Sequence, residues 1–215
     1  LQAIEAWTRA SGMSPSGAQL KLIARGCADV SPAIRKQATR SLWSMLQAEP
    51  QSAALQAAWT SAILPLAADS EATVCDACLD TVLEGVLHPL ARAKKPREMA
   101  GWPLLLQLPD SALPFLQRAV RRLAGQKRLP SGLAPKLQAL LAEPAPEARE
   151  RPVVWSMLHE VAALPQADVA QQKLDHAVVL QCWREASGGG AADSGGEAAS
   201  ALKLLVSLSD RGLLG

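Results

Sequence analysis

Apolar residues recur at helical spacing through most of the chain. Ile34, Ala38, Leu42 and Leu46 stand at four-residue steps, and Val74, Cys78, Val82 and Val86 do the same further on. Such a step drifts slowly around a helix of about 3.6 residues per turn, so each set predicts one helix with one buried stripe. Ser31 before Pro32 reads as an N-cap followed by proline at the first helical position. Asp69 and Glu71 stand where a helix N-terminus favours negative charge. Each helix is preceded by another apolar helix, Gly17 to Cys27 in one case and Ser52 to Ala67 in the other.

The two helices also match each other. Asp29–Leu46 lies over Asp69–Val86 at a constant offset of 40 residues, with Asp first, Ile or Val five residues on, then small or apolar residues at four-residue steps. A period of this length built from two antiparallel helices is the signature of HEAT or armadillo arrays, in which one pair buries its face only against the next. The chain is therefore expected to be all-α, a HEAT-type α-solenoid of about five helix pairs forming a single segment over 1–215. The later pairs are less regular: Met99 to Leu108 with Ser111 to Ala124, Leu133 to Ala142 with Pro152 to Leu164, and Ala167 to Glu185 with Glu197 to Ser209. Residues 187–196 carry glycines and no large apolar side chain, which predicts a flexible loop rather than a phosphate cradle.

Composition agrees with helices. One Phe, no Tyr and few β-branched residues leave little material for a sheet, whereas Ala, Leu, Gln, Glu and Arg are good helix formers. No stretch approaches the roughly 20 apolar residues of a membrane span. Four unpatterned Cys read as reduced, buried thiols. A chain that starts at Leu1 inside an apparent helix and stops at Gly215 without a polar tail reads as a fragment.

The residues also carry a resemblance. Asp29–Leu46, then Ala57-Ala-Trp-Thr-Ser-Ala-Ile-Leu-Pro-Leu-Ala-Ala-Asp-Ser-Glu-Ala-Thr-Val74, resembles the central HEAT array of the D-type regulatory subunits of condensin II. Pro152-Val-Val-Trp-Ser-Met-Leu-His-Glu-Val-Ala-Ala163 and Val179-Leu-Gln-Cys-Trp-Arg-Glu185 are similar to a later part of the same family. The resemblance implies a nuclear, chromosome-bound subunit with no enzymatic activity and no cofactor. It implies as partners an SMC ATPase heterodimer, a kleisin subunit and a second HEAT subunit, acting together in mitotic chromosome condensation and segregation. One position departs from the pattern: Arg35, where HEAT arrays often build a ladder of Asp and Arg contacts, becomes Cys75 in the second segment. The periodic pattern alone is shared by HEAT scaffolds of transport receptors and phosphatases.

Candidate chemistry is sparse. Cys75 and Cys78 have the spacing of half a zinc site or a redox dithiol, yet Cys27, Cys182 and His88 offer no matching half-site, so both read as core thiols. His159-Glu160 lacks the second His of a zincin helix, Ala163 standing in its place. Asp76, Asp80 and Glu84 read as a solvated face. The six Trp, at 7, 43, 59, 102, 155 and 183, read mostly as core between repeats.

Charge supplies the best candidate site. Between Arg92 and Arg128 stand Arg92, Lys94, Lys95, Arg97, Arg118, Arg121, Arg122, Lys127 and Arg128, against only Glu98 and Asp110, although the whole chain is only +2. Arg118, Arg121 and Arg122 share one helix face, opposite Leu116, Val120 and Leu123. Such a face meets backbone phosphates of DNA, or an acidic partner, without reading sequence.

Overall fold

A computed structural model describes residues 16–143 and 150–163, together with 175, 177–181, 184, 205, 206 and 209. The Gly-rich segment 187–196 and most of the expected fifth pair lie outside the described residues, as do Trp7, His176, Cys182 and Trp183. Among the described residues there are nine α-helices and no strand. They are α1 (Gly17–Gly26), α2 (Pro32–Ala48), α3 (Ala53–Ala58), α4 (Ala72–Val82), α5 (His88–Arg92), α6 (Trp102–Leu106), α7 (Leu113–Gly125), α8 (Leu133–Ala142) and α9 (Glu150–Ala162). Two compact units emerge, one drawn from Leu1–Val86 with Ala100–Ala119 and the other from Leu87–Met99 with Val120–Gly215.

In the first unit, α1 packs on α2, and α2 packs on both α3 and α4. The helix expected over Ser52 to Ala67 is present but changes pitch along its length. It starts as α3, widens into a π turn at Trp59–Ile63 and tightens into a 3-10 turn at Leu64–Ala68, where Pro65 supplies no amide hydrogen. Trp59 and Ile63 are fully buried on this segment, and the indole N–H of Trp59 donates to Thr81 Oγ1 of α4 at 3.0 Å. A fully buried indole thus keeps its polar atom satisfied.

The stripe on α2 differs from the expected one at its first member. Ala38, Leu42, Met45 and Leu46 are buried, whereas Ile34 is 41% exposed. Ile34 lies about 80° around the helix from Leu42, while Arg35 lies only about 20° away, so the drift of the four-residue step carries Ile34 off the buried face and Arg35 onto it. Val74, Cys78 and Val82 of α4, and Val86 in the π turn that continues it over Leu83–Leu87, are all buried as the spacing predicts.

Helix starts follow a shared device that Ser31 alone does not explain. Ser31 occupies the N-cap of α2 with Pro32 following, but its hydroxyl makes no cap bond. The work falls to the preceding aspartates. Asp29 Oδ1 accepts the Ser31 N–H and Asp69 Oδ1 accepts the Glu71 N–H, each at 2.8 Å, an Asx turn that orders the chain just before the helix. In the π turn just beyond α4 a side chain on Gly85 would run into the Trp43 ring, and one on Gly101 would run into the Gly85 carbonyl oxygen. The second approach is to backbone and requires glycine.

The second unit is built around α8 and α9, which pack against each other, with α5 also against α8. Leu133, Leu137 and Leu141 of α8 are buried, as are Val154, Trp155, Leu158 and Val161 of α9. Buried Gln138 makes two hydrogen bonds to the backbone of Asp175, one through each end of its amide. On α7, Leu116, Val120 and Leu123 are completely buried, as their spacing predicts. After α7 the chain turns with Lys127 at φ 56°, the Arg128 N–H bonding to Leu123 O and the Lys127 N–H to Ala124 O. This is a Schellman closure with lysine where glycine is the usual residue.

Candidate functional site

The basic stretch proves to be two populations of side chains. Arg97, in the turn after α5, donates through Nε and Nη2 to both carboxylate oxygens of Glu150, and through Nη1 to Glu143. Glu150 is 1% exposed, so Arg97 neutralises a carboxylate that has lost its water at the first residue of α9. Arg121 does the same near the other end of α9. Its Nε and Nη2 each lie 2.8 Å from an oxygen of Glu160, which is also 1% exposed. Both pairs are bidentate, the geometry in which guanidinium and carboxylate match best. Hydrogen bonding to Glu150 and to Glu160 holds the two guanidinium groups more firmly charged than usual, against a smaller opposing effect of burial.

Glu160 shows the competition from the other side. Burial pushes its carboxyl upward, but hydrogen bonds from His159 and Arg121, with their charges, hold it below the ordinary carboxylate value. His159 Nδ1 lies 3.4 Å from Glu160 Oε1. The Glu160 carboxylate is therefore committed to Arg121, with the His159 ring beside it.

Lys95 pairs with Glu98 across one turn, both side chains well exposed, an arrangement that contributes little to stability. Arg92, Lys94, Arg118 and Lys127 are exposed and carry no described ion pair, while Arg122 and Arg128 are half-buried. Arg118, Arg121 and Arg122 do share α7, but Arg121 reaches across to α9 rather than facing away from the packed helices. Counting acids only between Arg92 and Arg128 concealed this. The compensating carboxylates come from Glu143, Glu150 and Glu160; the sequence signal was Glu160, lodged in the apolar Pro152 to Leu164 helix, whereas Glu150, flanked by Arg149 and Arg151, carried none.

The thiol pair is placed in the core. Cys75 and Cys78 are 1% and 0% exposed, and their sulfur atoms lie 3.7 Å from Ala67 O and 3.8 Å from Leu64 O. Among the described residues no group of three His, Cys, Asp or Glu is arranged to hold a metal ion. No helix of the described residues is long and apolar enough to cross a membrane. Glu84, read as part of a solvated face, accepts the indole N–H of Trp43 at 3.1 Å.

The described residues are helical throughout their regular structure, and three arginines, Arg35, Arg97 and Arg121, tie its elements together through carboxylates. No protein-family model matches the chain, and no solved structure matches it significantly. The chain is similar to the condensin-2 complex subunit D3-L of Xenopus laevis, 26% identical over 180 residues that make up 80% of this chain and 11% of that relative. The resemblance drawn from Asp29–Val74 and Pro152–Glu185 is thus met by a distant, significant match to the same subunit type, of which the chain spans about a ninth.

Proposed function

We propose that the chain is a segment of a non-catalytic HEAT-type scaffold subunit of a condensin II complex, acting on nuclear chromosomes in mitotic condensation and segregation. The observation that carries this reading is the match to the D3-L subunit over most of the chain. The 40-residue repeat of the Asp turn followed by an apolar helix supports a continuous array of helix pairs. On this reading the partners are an SMC ATPase heterodimer, a kleisin and a second HEAT subunit. The exposed members of the basic stretch, Arg92, Lys94, Arg118 and Lys127, are the side chains offered to DNA phosphates.

Acute degradation of the whole protein in dividing cells tests the proposal. Mitotic chromosomes that lose axial compaction and lag at anaphase, with rescue by the intact protein, are the expected result. Chromosomes of normal length and normal segregation after complete depletion would reject it.

A further inference from the structure

The first unit holds a groove of about 680 Å³ between α1 and the turn region Ser61–Asp69. Its lining is polarised. Lys21 and Arg25 stand on α1, whereas Ala62, Pro65 and Leu66 make an apolar floor on the facing segment. The two cations are one helical turn apart, both are exposed, and neither has a described ion pair. Like charges at this spacing repel each other. The acid in the lining, Asp69, is taken by Arg35 through two hydrogen bonds of 2.8 and 2.9 Å, and so does not relieve them. The arrangement is the reverse of the basic stretch, where Arg97 and Arg121 find buried carboxylates within the fold.

What fits such a groove follows from its two surfaces. The cations call for carboxylates, and the floor calls for an apolar side chain between or beside them. An extended peptide sends alternate side chains to opposite sides, with same-side neighbours about 6.5–7 Å apart, close to the roughly 6 Å rise between Lys21 and Arg25 along α1. An acid–apolar–acid sequence would therefore set both carboxylates on α1 and the apolar residue on the floor. A nucleic-acid backbone supplies the anions but nothing for the floor.

We propose that this groove docks an acidic peptide segment of a partner protein, its carboxylates paired with Lys21 and Arg25 and its apolar residue seated on Ala62, Pro65 and Leu66. The proposal concerns the groove alone and stands apart from the condensin reading.

The test is selection of a displayed library of random 12-residue peptides on the purified chain, followed by affinity measurement of the enriched sequences. Enrichment of acid–apolar–acid sequences is expected, with at least tenfold weaker binding to the Lys21→Glu, Arg25→Glu double variant and to Ala62→Trp, which fills the groove. Helix content and melting curves identify any variant that fails to fold, and Lys21→Ala with Arg25→Ala then serves as the milder replacement. An empty selection, enrichment without acids, or peptides indifferent to both variants would overturn the proposal. So would a 20-base-pair duplex that binds the chain, is lost in the charge variant and is indifferent to Ala62→Trp, since the groove would then be a phosphate surface.

Discussion

Arg35 and Asp69, 34 residues apart in sequence, form a bidentate ion pair at 2.8 and 2.9 Å that ties the start of α2 to the turn before α4. The same arginine donates through Nη1 to the carbonyl oxygens of Asp29 and Val30, and Asp69 also orders its own turn by accepting from the Glu71 N–H. One guanidinium therefore organises the starts of both α2 and α4. Its pairing with Asp69 holds it more firmly in the charged form.

Replacing either partner leaves the other largely buried without its counter-charge. Arg35→Ala and Asp69→Asn are each expected to lower the melting temperature by a few degrees. The double variant should fall no further than the worse single one, because the two losses are the same interaction. Thermal melts of the three variants check this, and strictly additive losses would contradict it.

The two arginine pairs on α9 make different demands. Arg97 covers the nearly inaccessible Glu150 and is itself largely enclosed, so Arg97→Ala should cost about 2–4 kcal/mol in urea unfolding. Arg121 is 68% exposed, so solvent screens its pair with Glu160, and Arg121→Ala should cost about 1–2 kcal/mol. Any charge reversal that includes Arg121 consequently changes stability as well as surface charge.

Glu160 gives the acid limb of stability a definite sign. Its folded-state pKa is lowered from the ordinary 4.5, so its contribution is complete above about that pH and is lost as pH falls through the lower folded value. Urea midpoints measured from pH 7 down to pH 3 should decline less steeply for Glu160→Gln than for the wild type at the acid end. Parallel curves would show that the carboxylate contributes nothing to acid sensitivity.

The thiols should be unreactive in the folded state. Burial, opposed by a weaker hydrogen bond from Thr39, pushes Cys27 from 9.0 to about 11, which cuts its thiolate fraction at pH 8 about a hundredfold. Cys75 and Cys78 are closed off entirely. Labelling with a thiol reagent, read site by site by mass spectrometry, should show all three protected until urea is added. Rapid labelling of Cys75 or Cys78 in native protein would contradict the core assignment.

For DNA, the informative side chains are the exposed ones. Arg92→Glu with Lys94→Glu should weaken binding to a duplex of arbitrary sequence at low salt, without loss of stability. It should also flatten the logarithmic salt dependence by about one to two units, one per phosphate contact removed. Salt titrations with the wild type and the double variant measure both. An unchanged slope would assign these residues to a solvated surface.

Helical class, the stripe on α4, the inward face of α7 and the burial of Trp59, Trp102 and Trp155 were legible because each depends on local spacing. The fate of Arg35 was not, because a four-residue step alone does not say where the buried face is centred; Ile34 looked like its first member and is not. Charge misled for a related reason. A run of basic residues counted along the chain says nothing of Glu150 and Glu160, which reach Arg97 and Arg121 across 53 and 39 positions.

The most direct measurement of the proposed role is affinity purification of the whole protein, tagged at its own locus, from mitotic cells, with its partners identified and quantified by mass spectrometry. An SMC ATPase pair, a kleisin and a second HEAT-repeat subunit are expected in near-equal amounts with the bait, resistant to nuclease treatment. Recovery of the intact protein without SMC or kleisin subunits, or with transport or phosphatase components in their place, would contradict that role.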